Sequence, residues 1–246
     1  MPAPAGRASE AVVVGVGGAV LGLGAGALAD VALDTSALAV AGAVVAGING
    51  VISGWRGIYD WRSPPGVVGF LLDSTWSLVM TTAGVFSNVV GMIERGSDYL
   101  PELSERRNVH VYRRGFVPRK GFATTLGNVV GGAADVERES RRHLIEEHEV
   151  VHVWQARWLG PLFPIAYVGW MALAAMYGLA MWAMRHRDRP VGKVVETYAY
   201  YANPMEWWAY SRAGRWRPSS MVDGCGWRGP MVRPHATVIA RKQAAG

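Results

Sequence analysis

Two histidines stand four residues apart in His148-Glu149-Val150-Val151-His152, with a glutamate directly after the first. On a helix, positions i and i+4 share a face, so both imidazoles can reach one metal ion. Glu149 sits beside them, close enough to take a proton from metal-bound water. Zn2+ lowers the pKa of such water to about 7, which makes hydroxide available at neutral pH. The spacing fits metal-assisted hydrolysis, with His148 and His152 as ligands and Glu149 as general base. The competing reading is a pair of surface histidines on a charged helix.

A catalytic zinc takes three protein ligands and keeps a further position for water. His110, His143, His186 and His235 are available, as are several carboxylates. His143 precedes His148 by five positions, which rotates it off the shared face. Glu206 is the strongest candidate. Pro204 can open a helix, and Glu206 then falls in its first turn. It is an acid among Tyr200, Tyr201, Trp207 and Trp208, and an acid in such surroundings usually has a partner. Tyr200 or Tyr201 could polarise a substrate carbonyl, and the sequence prefers neither. Asn108 to Tyr112 alternates polar and apolar residues, the period of a half-buried strand, and carries His110. Arg114-Gly115 offers a turn from which Phe116 to Thr125 could return as a second strand. His110 is thereby a candidate on the substrate side, against the simpler reading of a covering hairpin.

The HEVVH element followed by Glu206-Trp207-Trp208-Ala209 resembles the gluzincin type of zinc metallopeptidase. His148-Glu-Val-Val-His-Val-Trp-Gln-Ala-Arg-Trp-Leu-Gly-Pro-Leu162, with the later ExWA, is also similar to uncharacterised bacterial multi-pass membrane proteins with HExxH, LGPL and ExWA elements. The resemblance covers about residues 141–214. It implies His148, His152 and Glu206 as zinc ligands, Glu149 as general base and a protein or peptide substrate. It also implies a zincin-like α+β part in which an edge strand near the metal holds substrate backbone.

The elements that must position these residues are mostly apolar. Half of the 246 residues are hydrophobic and only 18% are charged, where roughly a quarter is usual. No charge occurs from Ala11 to Ala29, from Thr35 to Trp55, or from Trp158 to Met184. A bilayer span needs about 20 such residues. Gly18, Gly22 and Gly26 are four apart, as are Gly42, Ala46, Gly50 and Gly54. Small residues on one face let two helices approach closely. Asp30, Asp34 and Thr35 suit the turn between them. The expected fold is mainly α, a glycine-striped transmembrane helical hairpin plus the zincin-like part with a small β-hairpin. Residues 1–65 form the hairpin and connector, 66–93 a third membrane or packing helix interrupted by Asp73, and 94–246 the HExxH part. Within the last, Asp135 to Trp158 reads as one helix, and 158–184 is membrane-associated.

One geometric difficulty follows. A straight helix over 158–184 rises about 40 Å and would deliver Glu206 to the far side of a bilayer from His152. Either the segment bends at Gly160-Pro161, Pro164 or Gly169 so that both ends share one side, or the zinc lies within the membrane. Asn203-Pro204 resembles part of the N-P-x-D element of site-2 proteases, which use the second arrangement. The charge on Glu137 to Arg157 favours the first.

The remaining features exclude more than they assign. Cys225 is the single cysteine, so no internal disulfide forms. The net charge of +6 lies beside apolar segments and fits lipid headgroups, with no aromatic-interleaved patch for nucleic acid. Glu94 onward holds 22 of the 25 basic residues, which favours a cytoplasmic catalytic side; richness in Ala, Gly, Val and Arg suggests a bacterial source, and with it an inner membrane. Arg7 before an apolar run ending Ala27-Leu28-Ala29 has the outline of a signal peptide, but Glu10 cancels the charge and a second run follows at once. Gly22 to Ala27 fits GxGxxA loosely, without the βαβ pattern that gives it meaning. A diiron site needs a second E-x-x-H, which is absent. The main alternative is a non-enzymatic membrane protein that oligomerises through its glycine stripes and keeps HEVVH as a structural or vestigial helix.

Overall fold

The computed structural model describes residues 5–119 and 121–212. Cys225 and His235 lie outside the described residues. The fold is mainly helical with one small sheet. Its internal contacts divide it into two units, Met1–Pro161 and Leu162–Gly246.

The first unit opens with two long helices, α1 (Ala5–Leu33) and α2 (Leu38–Arg56). They pack antiparallel along the glycine stripes. Gly18 lies against Ala46, Gly22 against Gly42, Gly26 against Leu38 and Gly50 against Val14. A Cβ added at Gly22 would run into the Gly42 carbonyl, so only glycine permits this approach. The outward faces keep Val12, Val13, Val16, Val20, Val40 and Val44 exposed. The turn works as its polar residues suggest. Asp30, in the last turn of α1, accepts hydrogen bonds from the Leu38 and Ala39 amides at 3.0 and 2.8 Å and caps α2. Both helices are long and apolar enough to cross a membrane.

The third apolar stretch is two helices rather than one. Ser63 caps α3 (Pro64–Ser74) and Pro64 opens it. It bends 94° into α4 (Leu78–Ile93) through Thr75-Trp76-Ser77. Such a pair is a broken span or a re-entrant loop.

The sheet differs from the expected hairpin. Strand β1 (His110–Val111) pairs in parallel with β3 (Val129–Gly131), and β2 (Thr124–Leu126) pairs antiparallel with β3, giving the order β1-β3-β2. The hairpin is therefore β2–β3, closed by Gly127-Asn128, and not Asn108–Tyr112 with Phe116–Thr125. Gly127 takes φ 57°, as mirror-image two-residue turns require. It also packs against the Met80 carbonyl, where a Cβ does not fit. Val109, Val111, Val129, Val130, Ile145 and Val153, on and around the sheet and the HExxH helix, are all buried.

The helix expected over Asp135 to Trp158 begins later and has three parts. These are α5 (Glu139–His143), a π-helical segment (Leu144–Glu149) and α6 (Val150–Leu159). Gly160, at φ 52°, ends α6.

The second unit begins with α7 (Leu162–Arg185), a third helix able to cross a membrane. Pro164 lies in its first turn, and no break occurs at Gly169. After Arg185 the chain turns back. Short α8 (Val191–Glu196) and a π-helical segment (Thr197–Tyr201) run back along α7. Gly178 lets the Val195 backbone and Tyr198 come close, and Tyr177 and Tyr198 meet edge to face at 5.2 Å. Helix α9 (Pro204–Arg212) follows. The returning arm brings Glu206 beside Tyr167, near the start of α7. Glu206 thus ends near the end of α7 from which this unit set out.

Candidate metal centre

His148 and Glu149 close the π-helical segment, and His152 lies in the first turn of α6. Single π-turns within helices concentrate at functional sites. All three side chains are buried. The two Nε2 atoms lie 3.2 Å apart. Two nitrogens at about 2.05 Å from one tetrahedral zinc are separated by roughly 3.3 Å, so the pair fits a shared ion. His152 Nδ1 stands 2.8 Å from Gln155 Oε1. An amide oxygen only accepts, so Nδ1 carries the proton and Nε2 presents its lone pair toward His148. This is the outer support that metal-binding histidines usually have.

Glu149 is held from the sheet. Thr125 Oγ1 donates to Glu149 Oε2 at 2.7 Å. The strand beside the HExxH helix is therefore β2, not the strand that carries His110. Arg141 donates to the Gly132 and Ala133 carbonyls and ties the start of this helix to the end of β3. Burial lowers its pKa, and the charge of Glu149 raises it in part.

Glu206 falls where the sequence suggests, in the first turn of α9. Asn203 Oδ1 accepts from the Met205 amide at 2.9 Å and caps that turn. Glu206 is buried, and Tyr167 Oη donates to its Oε1 at 2.6 Å. His148, His152 and Glu206 each offer one ligand atom, and the three atoms lie within 4.8 Å of one another. This buried group could hold a metal ion, and two imidazoles with one carboxylate are a donor set that zinc accepts.

The other candidates are placed as follows. His110 is fully buried, with Ser53 Oγ 3.1 Å from Nε2, and Arg56 Nη1 and Tyr99 Oη each 3.5 Å from Nδ1. Burial, then the charges of Arg56 and Arg157, push its pKa well below the usual value. The outer side of its strand is covered by Tyr99 and Leu100. Tyr200 and Tyr201 are half-buried on the π-helical segment before α9, with rings edge to face at 5.1 Å. His143 lies between Glu139 and Glu147, 3.3 Å from each. His186 is in the turn after α7.

Three features escaped the sequence reading. Gln155 is legible in hindsight as the polar residue one turn beyond His152. Thr125 carried no signal. Asp73 and Arg157, 84 positions apart, form a buried two-toothed ion pair at 2.8 and 2.7 Å. Tyr59 and Asn128 also donate to Asp73, at 2.8 and 3.3 Å, and Arg157 donates to the Asn108 carbonyl at 2.7 Å. The network fastens α6 to α3 and to the residues before β1. No protein-family model, curated protein or solved structure matches the chain.

Proposed function

We propose that this chain is a membrane-bound zinc-dependent hydrolase, most simply a metallopeptidase, with His148, His152 and Glu206 as ligands and Glu149 as general base. The observation that carries the reading is the buried imidazole pair, spaced for one ion and backed by Gln155, with Glu149 next to it. Zinc, when bound, would polarise a carbonyl and lower the pKa of water. The protein's part is to fix the ligands and orient the base. Gln155 sets the His152 tautomer, Tyr167 holds the Glu206 carboxylate, and Thr125 holds Glu149. A polypeptide substrate is favoured because β2, which touches Glu149, is an edge strand of the sheet. Next to Glu206, Trp207 lines an apolar cleft of about 350 Å3 with Trp170, Tyr177 and Tyr198, a place for an apolar substrate side chain. The distribution of basic residues favours the cytoplasmic face of the membrane.

Metal analysis tests this directly. Purified protein should hold about one zinc per chain, and His148→Ala with His152→Ala should abolish it. Full zinc occupancy in the double variant overturns the site. Glu149→Gln should keep the metal and lose turnover. Undiminished turnover in that variant removes Glu149 as the base.

A further inference from the structure

We propose that α3 and α4 form a re-entrant loop that carries the HExxH helix below the membrane surface, so that the site serves a bilayer-embedded polypeptide. The second clause rests on the metallopeptidase reading above; the first does not.

Both ends of the α3–α4 pair are tied to one short segment. Before α3, the Asp60 amide donates to Asn108 Oδ1 at 3.4 Å, and Gly66 packs on the Asp60 backbone. Near the end of α4, Tyr112 Oη donates to Asn88 Oδ1 at 3.0 Å, and the Tyr112 ring covers Gly91. Asn108 and Tyr112 are four residues apart, about 13 Å when extended. The hydrocarbon core is about 30 Å thick. An arrangement with one end on each side of a bilayer does not fit that tether.

The elbow between the two helices is deep. Ser74 lies against Gly18 on α1, and Leu78 against Gly42 on α2. At 1.5 Å per residue, Gly18 is about 17 Å along α1 from Arg7, and Gly42 about 21 Å along α2 from Arg56. Arg7 and Arg56 end the two apolar spans, and Trp55 and Trp61 are exposed near that end, as at a membrane interface. The turn at Asp30–Thr35 lies about 18 Å beyond Gly18 along α1 and about 10 Å beyond Gly42 on the α2 side. The pair therefore descends well into the apolar hairpin and comes back without reaching its far end.

The HExxH helix is fastened to this elbow. Ser77 Oγ donates to the Ala156 carbonyl and Trp76 Nε1 to the Trp158 carbonyl, each at 3.0 Å, so the elbow caps the last turn of α6. Gly160 packs directly on Trp76, and Arg157 pairs with Asp73 on the descending helix. His152 is one turn, about 6 Å, before Ala156. Even with α6 upright, His152 lies about 11 Å below the level of Arg7 and Arg56. A site at that depth meets chains that the bilayer presents.

The test uses full-length protein carrying Cys225→Ser and single cysteines at Arg62, Val79, Glu94 or Ser36, in sealed vesicles of known orientation. A membrane-impermeant maleimide should label Arg62→Cys and Glu94→Cys from the same side and Ser36→Cys from the other. Val79→Cys, exposed beside the elbow, should resist it and react with a lipid-soluble maleimide. Labelling of Arg62→Cys and Glu94→Cys from opposite sides, or ready aqueous labelling of Val79→Cys, overturns the loop. None of these readouts needs metal. For the substrate, proteoliposomes should cleave a polypeptide with a bilayer-embedded segment and spare its soluble counterpart. Equal cleavage of both, or hydrolysis of lipid ester instead, overturns the second clause. Failure of the metallopeptidase reading alone would abolish all turnover and leave the labelling pattern intact.

Discussion

Removing Arg157 should destabilise the first unit more than any other single truncation within the buried network. Arg157 and Asp73 are both almost wholly buried, at 1% and 2% exposure. In Arg157→Met, Asp73 keeps only the neutral donors Tyr59 and Asn128 and loses both guanidinium contacts. An uncompensated buried charge of this kind costs about 3–5 kcal/mol. For a unit of this size each kcal/mol moves the midpoint by roughly 2–4 °C, so a fall of about 10 °C is expected. The double variant Asp73→Leu with Arg157→Met leaves no orphaned charge, and should recover much of the loss, because a buried pair contributes little over an apolar replacement. The assay is thermal unfolding in detergent, followed by tryptophan fluorescence, for the two single variants and the double. A midpoint for Arg157→Met within about 2 °C of the parent refutes the reasoning. So does a double variant that loses the full sum of the single losses, since residues in contact should couple.

Gly22→Val should cost about 1–3 kcal/mol, because its new atoms meet the Gly42 backbone rather than a movable side chain; Gly24→Ala, with nothing within 4 Å, should be neutral or stabilising in the same melting assay. His110 resists protonation when folded and accepts a proton when unfolded, so stability should fall as pH drops below about 6.5, by up to about 1.4 kcal/mol per pH unit. His110→Gln should flatten that part of the profile, and an unchanged slope in melts from pH 7 to 5 would contradict the assignment. Gln155→Leu should weaken zinc binding about 10- to 100-fold while leaving the fold intact, as measured by competition with a chromogenic chelator. Unaltered affinity would remove Gln155 as a support of His152.

How much was legible depends on whether the signal was local. The glycine stripes and the HExxH spacing each state a helix face within a few turns, and α1, α2 and α6 follow from them. Pro204 likewise states where α9 begins, and Glu206 lands in its first turn. The sheet was not legible, because its strands are two or three residues long, too short for period-2 alternation to register. Asn108–Tyr112 does alternate, yet only His110 and Val111 pair, and they pair in parallel with a strand that follows the hairpin turn. Gly127-Asn128 carried the turn instead of Arg114-Gly115. The need to fit beneath the Met80 carbonyl, which fixes a glycine there, arises only from tertiary packing.

Asp73 shows the limit of reading one chain from end to end. An acid in an apolar stretch must be neutralised or paired, and that much follows from the cost of an isolated charge in a poorly polar setting. The partner cannot be named, because Arg157 stands in a charged region with many other cations. Only the fold selects it, by ending α6 against the elbow where Ser77 and Trp76 take the last carbonyls. The same contacts account for polar residues within the third apolar stretch. Three of its polar residues hold the fold together: Ser77 bonds to α6, Thr81 to the Asp73 carbonyl across the elbow, and Asn88 to Arg56 and Tyr112. A stretch that only crossed lipid would gain nothing from those groups, whereas one that holds a helix in place requires them. Asp73, Ser77 and Asn88, which dilute its hydropathy, are residues that fasten the HExxH helix and the strand beside Tyr112.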